Sequence, residues 1–229
     1  MKSVDWLVEY CKAQVGKPYW YGCFGQKSTE ALYKSKKSQY PKYYTAKDYD
    51  KQYGVKVHDC AGLIKGALWS KTVDDPNPIY NSNQDFGANG FYNNAKVKGA
   101  IKTFPKKAGL IVFKGNATKK SHIGVYIGND TVVEAKGHAY GVIYSKFTGG
   151  KWTYWAECSL IDYKLSTPTP IYKTYTVKVN SYLNVRTGPG KKYKSVAKLY
   201  NGNTVVVYEK SGNWGRIGVD KWVCMTYLK

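Results

Sequence analysis

From Tyr175 to Lys229 the chain offers strands and tight turns and no helical stretch. In YTVKV, YLNVRTGPG, SVAKLY, NGNTVVVYEK, NWGRIGV and KWVCMTYLK, apolar and polar residues alternate, as Val177 and Val179 or Leu183 and Val185 do with their neighbours. Gly188-Pro189-Gly190, Asn201-Gly202 and Ser211-Gly212-Asn213 supply the turns. A piece this short, patterned this way, is expected to close into a small β-barrel. Just before it, STPTPIYK (Ser166–Lys173) is rich in Thr and Pro and reads as an extended linker. The chain is therefore expected to divide into a larger domain over residues 1–163, a linker over 164–174 and the barrel over 175–229.

Charge narrows the choice of partner. The 36 Lys and Arg against 15 Asp and Glu leave a net charge of +21, so an anionic partner or habitat is implied. Nucleic acid, an acidic membrane face and an anionic cell wall all fit. The barrel piece is the more densely basic: from Lys164 onward stand 12 basic and 2 acidic residues, before it 24 and 13. With 43% hydrophobic and 16% aromatic residues, the chain has ample material for a core, and disorder is excluded.

At the N-terminus, Asp5, Glu9 and Lys12 interrupt the apolar run that a secretion signal needs. Val4, Leu7, Val8, Cys11 and Val15 instead follow helical spacing, with Ser3 as N-cap. No window approaches the roughly 18 apolar residues of a membrane span. Synthesis as a soluble cytoplasmic protein, without membrane insertion, is the expectation. The five cysteines, Cys11, Cys23, Cys60, Cys158 and Cys224, form no CxxC pair, which argues against a zinc site or a disulfide framework. Four of them read as small buried or half-buried apolar residues.

Cys60 differs. VHDCAGLI places it at the start of a helical pattern through Ala61, Leu63, Ile64, Ala67, Leu68 and Trp69, where free N–H groups and the helix dipole favour thiolate. Gly62 and Gly66 would let the backbone pack closely. Farther on, SHIGVYIGNDTVVEAKG reads as two strands around Gly128-Asn129-Asp130, with His122 opening the first. A cysteine at a helix start and a histidine on a distant strand can make the pair that nucleophilic catalysis requires. His58 is too close in sequence to Cys60 to face it and reads as solvated or structural. With a three-residue turn, position 122 faces 136, so both Glu134 and His138 are diagonal neighbours of His122. Glu134, acidic and within the strand, is better suited to hold an imidazolium.

In order along the chain, GKPYWYG (Gly16–Gly22), DCAGLI (Asp59–Ile64), HIGVYIG (His122–Gly128) and VVEAKG..YGV (Val132–Val142) resemble the NlpC-type cell-wall cysteine peptidases. LNVRTGPG, NGNTVVV, WGRI and the closing WV..YL resemble a bacterial SH3-type domain. The resemblance implies an α+β fold, a papain-like domain of helices packed on an antiparallel sheet, followed by a non-catalytic wall anchor. It implies Cys60 as nucleophile, His122 as base, Glu134 as third residue, and Tyr19 and Asp59 as neighbours shaping a pocket for the substrate amine, with no metal or cofactor. The implied substrate is the peptidoglycan stem peptide, often cut between D-γ-glutamate and the diamino acid. An N-acetylmuramoyl-L-alanine amidase of the same fold, and a non-catalytic basic protein binding wall or nucleic acid, are the alternatives.

Two departures stand out. Glu134 occupies a place that the family more often fills with His, Asn or Gln. The stretch from Cys23 to His58 is much longer than the usual link before DCxGL, and reads equally as a groove rim or lid and as a surface insertion. A wall anchor, strong basic charge and no signal peptide resemble a phage endolysin released by a holin, with peptidoglycan and anionic wall polymers as expected partners and neither nucleic acid nor membrane insertion.

Overall fold

The structure, a computed structural model, describes residues 1–163 and 173–229. Most of the expected linker, residues 164–172, lies outside the described residues. The chain separates into two compact units, Met1–Leu165 and Ser166–Lys229.

In the first unit β1 (Lys2–Ser3) leads into α1 (Val4–Ala13), β2 (Phe24–Lys27) and β3 (Lys56–His58) flank α2 (Glu30–Gln39), and α3 (Cys60–Trp69) follows. After α4 (Ala88–Asn93) come β4 (Lys98–Ala100), β5 (Ile111–Gly115), β6 (Lys120–Gly128), β7 (Thr131–Gly137), β8 (Gly141–Lys146), β9 (Tyr154–Ala156) and β10 (Ile161–Asp162). Ser3 caps α1 as its sequence suggests, its hydroxyl accepting the Trp6 N–H at 3.2 Å.

Strands β4, β9, β5, β6, β7 and β8, in that spatial order, form an antiparallel sheet. The two-residue period of the strands gives it two apolar faces. Ile111, Phe113, Ile123, Val125, Val133 and Ala135 share a core with Leu7 and Tyr10 of α1 and Leu63, Ile64 and Ala67 of α3. Leu110, Val112, Tyr126 and Val132 share another with Trp152 and Trp155. The glycines of α3 serve close approach: a Cβ on Gly62 would strike the Cys23 carbonyl, and one on Gly66 the Tyr10 hydroxyl and the Phe24 carbonyl. The sequence's expectation of close packing there is met.

The β6–β7 hairpin corrects one expectation. Its turn holds two residues, Asn129 and Asp130, both in the left-handed region at φ 48° and 56°, the pattern of a type I′ turn. A bulge between Tyr126 and Gly128 takes up one further residue. Val125 consequently faces Val133, and the same register carried back along β6 sets 122 opposite 136.

The long stretch before α3 is built in, not loose. Trp20 is fully buried, ringed edge-on by Tyr33, Tyr44, Tyr49 and Tyr53, and these with Cys23 and Val57 make a separate small core. The Tyr44 hydroxyl donates to the Tyr21 carbonyl at 2.7 Å, and Tyr43 stacks on Tyr21 at 3.7 Å with planes 3° apart. A simple surface insertion would not supply the core around Trp20.

The second unit is all β: β11 (Lys173–Thr176), β12 (Leu183–Arg186), β13 (Ser195–Leu199), β14 (Thr204–Val207), β15 (Glu209–Ser211), β16 (Trp214–Gly218) and β17 (Lys221–Cys224). β11 pairs with β14, and β13, β12, β17, β16 and β15 form a five-stranded sheet. Tyr175, Val177, Leu183, Val185, Val205, Val207, Val223 and Leu228 make their common core. The alternation at Val177, Leu183 and Val185 thus reports burial directly, while Val179 only packs at the core's margin.

Candidate active site

The turn of chain entering α3 is held by Asp59. Its Oδ1 accepts the Gly62 N–H at 2.5 Å as the helix N-cap, and its Oδ2 accepts the Gly22 N–H at 2.8 Å. One carboxylate thus starts α3 and ties it to the GKPYWYG loop. Asp59 is 8% exposed, and burial raises its pKa against the pull of Lys65 and of these N–H groups.

Cys60 is the first residue of α3, half-buried. It packs against the core that contains Ile123, the residue directly after His122. The strand that carries His122 therefore runs beside the thiol. Burial pushes the thiol up to about 12, with the Asp59 charge adding to it and backbone N–H groups opposing. The expectation that a helix start favours thiolate is outweighed here by desolvation and a neighbouring carboxylate.

His122 and Glu134 are brought together. Nε2 of the ring lies 2.6 Å from Glu134 Oε2, and since a carboxylate only accepts, Nε2 carries the hydrogen and Nδ1 is left to take a proton. Trp152 stacks with the His122 ring, the two centroids 5.9 Å apart and the planes 20° apart. Glu134 is 1% exposed; its Oε1 accepts the Ser145 hydroxyl at 2.5 Å, and Lys114 Nζ stands 3.5 Å from Oε2. Burial by itself would raise this carboxyl, but the hydrogen bonds from His122 and Ser145 and the charges of His122 and Lys114 hold it down at about 2. It is an anion built into the sheet. Among the described residues no hydrogen bond joins the sulfur to the His122 ring; in free enzymes such contacts are commonly long and tighten with substrate.

The other histidines are accounted for. His58 is wholly buried, its Nε2 3.1 Å from the Tyr10 hydroxyl, and burial pushes it down to about 3, so it is neutral and structural, not solvated. His138 turns to the long stretch, with Nε2 2.7 Å from Asp48 Oδ1 and its ring on Tyr49 at 4.4 Å. Tyr19 is half-buried and bridges to His58; burial, then the charges of Cys60 and Asp59, raise its phenol, which puts the hydroxyl within their field.

Sequence reasoning missed Lys114, Ser145, Trp152 and the Tyr21–Tyr43 stack. Pairing of Lys114 with His122 and of Ile143 with Glu134 brings the first two near, and only the strand registers could have announced them. No local pattern marks Trp152. Among the described residues no cluster of metal-ligating side chains occurs.

Residues 16–160 match the NlpC/P60 family, and residues 181–229 the bacterial SH3 domain. Among solved structures the chain is similar to the peptidoglycan hydrolase RipB from Mycobacterium tuberculosis, at 21% identity and a TM-score of 0.43, covering 70% of this chain and 65% of that one. This chain thus spans just under two thirds of RipB's length. It is also similar to the P60 domain of an antigen from M. avium subspecies paratuberculosis, at 18% identity and a TM-score of 0.43, covering 70% of this chain and 96% of that one. The NlpC/p60 domain of the peptidoglycan hydrolase SagA is 16% identical with a TM-score of 0.39, over 68% of this chain and 98% of its own. No curated protein sequence matches. With the family match spanning more than half of its length and falling on the motifs around Cys60, His122 and Glu134, the chain belongs to the NlpC/P60 family and carries a bacterial SH3 domain at its C-terminal end.

Proposed function

We propose that the protein is a peptidoglycan hydrolase that cuts an amide bond of the stem peptide, between D-γ-glutamate and the diamino acid, with Cys60 as nucleophile and His122 as base. The observation that carries this reading is the 2.6 Å bond to a buried anion, Glu134 of β7, made by His122 on β6, the strand that lies beside the Cys60 thiol. As the ring approaches the sulfur, Nδ1 takes the thiol proton and the thiolate attacks the amide carbonyl. The tetrahedral oxyanion is met by the N–H of Cys60 at the open start of α3, where Asp59 has already taken the Gly62 N–H. His122 then gives the proton to the departing amine and later draws one from the water that hydrolyses the thioester. Glu134 holds the ring's far nitrogen throughout, as the carboxylate of a serine triad does. Tyr19 and Asp59 border the amine pocket.

The SH3 domain, with its dense basic charge, is the anchor on wall peptidoglycan and anionic wall polymers, raising the local concentration of the catalytic unit. Action is at the bacterial wall, in the manner of an endolysin reaching it through a holin. The test is digestion of purified peptidoglycan by the full chain and by Cys60→Ala, with mass spectrometry of the fragments. New free amines on the diamino acid support the endopeptidase; release of intact stem peptide from muramic acid would assign the amidase instead. Undiminished release by Cys60→Ala would overturn the enzyme assignment.

A further inference from the structure

The carboxylate of Glu134 is shared. Oε2 takes the His122 Nε2–H at 2.6 Å and faces the Lys114 ammonium at 3.5 Å, and Oε1 takes the Ser145 hydroxyl at 2.5 Å. Lys114 stands directly opposite His122 in the β5–β6 ladder. Its Nζ also lies 4.4 Å from the centre of the Trp152 ring, the same ring that stacks with His122. A lysine and an imidazole thus share one carboxylate oxygen, and one indole packs against both of them. The Glu134 side chain is 1% exposed, so the carboxylate has little access to water as an alternative partner.

We propose that Lys114 is a positioning residue for the base: by sharing Glu134 Oε2 it limits how tightly the carboxylate holds the protonated His122 ring, leaving the ring able both to take a proton and to pass it on. This rests on the reading of His122 as the base. The groups that bear on the ring are Lys114 from β5, Glu134 from β7, and Cys60 with Asp59 at the start of α3; Ser145 from β8 and Trp152 are neutral. Lys114 is the cation of this set, and it opposes a second positive charge on the ring. A carboxylate with imidazole alone would hold the imidazolium more firmly and slow its return to the neutral form.

The full chain, labelled at histidine, is followed by NMR through a pH titration, with His58→Gln and His138→Ala assigning the other two rings. In Lys114→Met, which keeps the alkyl stem over Trp152, the midpoint of the His122 ring rises by about half to one pH unit. The alkaline limb of kcat/KM on purified peptidoglycan rises with it. Lys114→Arg returns both to the wild-type position, and Lys114→Gln behaves as Lys114→Met does. In a Glu134→Gln background the effect of Lys114→Met falls to less than half. An unchanged or lowered midpoint in folded Lys114→Met and Lys114→Gln, or failure of Lys114→Arg to restore it, would overturn the inference. A raised midpoint in a protein whose wild type releases no fragments upholds the hold of Lys114 on the ring and counts against the hydrolase reading alone.

Discussion

The helix side and the strand side of the site are opposites. At the start of α3 both ionisable groups are pushed toward their neutral forms, with Asp59 raised and the Cys60 thiol up to about 12, burial being the first cause for each. On the sheet, Glu134 is also buried, yet it is held at about 2. The difference lies in the partners. Asp59 has backbone N–H groups and the charge of Lys65, whose ammonium is paired with Asp85 instead, whereas Glu134 has an imidazole, a lysine and a hydroxyl aimed directly at it. Burial alone therefore does not decide ionisation; the charge that is buried alongside does. For the proposed chemistry the lesson is directional: burial favours the proton on the sulfur, so the base proposed to draw it off, His122, stands on the side that holds an anion.

The largest break of this contrast is removal of the thiol. Cys60→Ala should lower peptidoglycan hydrolysis by about 10^4-fold or more while circular dichroism and wall binding stay as in the wild type. A methyl replaces a small, half-buried thiol, so packing changes little.

Neutralising the strand-side anion comes next. Glu134→Gln should cost between about 10^2- and 10^4-fold in kcat and move the alkaline limb of the pH profile down, because the imidazolium loses its counter-charge. This sign is opposite to that expected for Lys114→Met. The same residue ties stability to acid. Its folded pKa of about 2 lies below the ordinary 4.5, so the stabilisation is complete above 4.5 and is lost as pH falls toward 2, ~3 kcal/mol in all. Urea midpoints between pH 5 and pH 2 should fall less steeply in Glu134→Gln than in the wild type; parallel curves would show that the anion is not held as described.

On the helix side, Asp59→Ala should lower stability by about 1–2 kcal/mol by uncapping α3 and releasing the Gly22 loop. Asp59→Asn keeps an N-cap oxygen but removes the charge beside the thiol. Alkylation of Cys60 by iodoacetamide should then begin at lower pH, by up to about one unit. Equal alkylation profiles would remove Asp59 from the causes of the raised thiol.

The smallest effect is expected at His138. Its partner Asp48 is exposed and the pair ties the turn between β7 and β8 to the long stretch, so His138→Ala should leave kcat within about twofold of the wild type. A crippled His138→Ala beside an unaffected Glu134→Gln would reverse the assignment of the residue that orients the base.

Much of this site could be read from residues alone because it rests on local rules. Ser3 marks a helix start through a side-chain oxygen placed three residues before a free N–H, and DCAGLI announces a helix with a thiol at its head, though its capping by Asp59 emerged only in the structure. Period-two alternation and Asn129-Asp130 announce the hairpin. Even with the turn length misjudged, the bulge leaves Val125 opposite Val133 as the expected register requires, and His122 does reach Glu134. The SH3 domain was legible for the same reason, its valines alternating between core and surface.

What depends on elements distant in sequence was not legible. Lys114 and Ser145 reach Glu134 from separate strands, Trp152 arrives from beyond β8, and the tyrosines between Cys23 and His58 gather around Trp20. Spacing and periodicity determined which residues begin the helix and which face of each strand is apolar, since those properties are set within a few bonds of the backbone. Tertiary structure decided that the thiol is held neutral while the carboxylate is held as an anion, because desolvation and charge act through space, and space is fixed only when the sheet and α3 have packed.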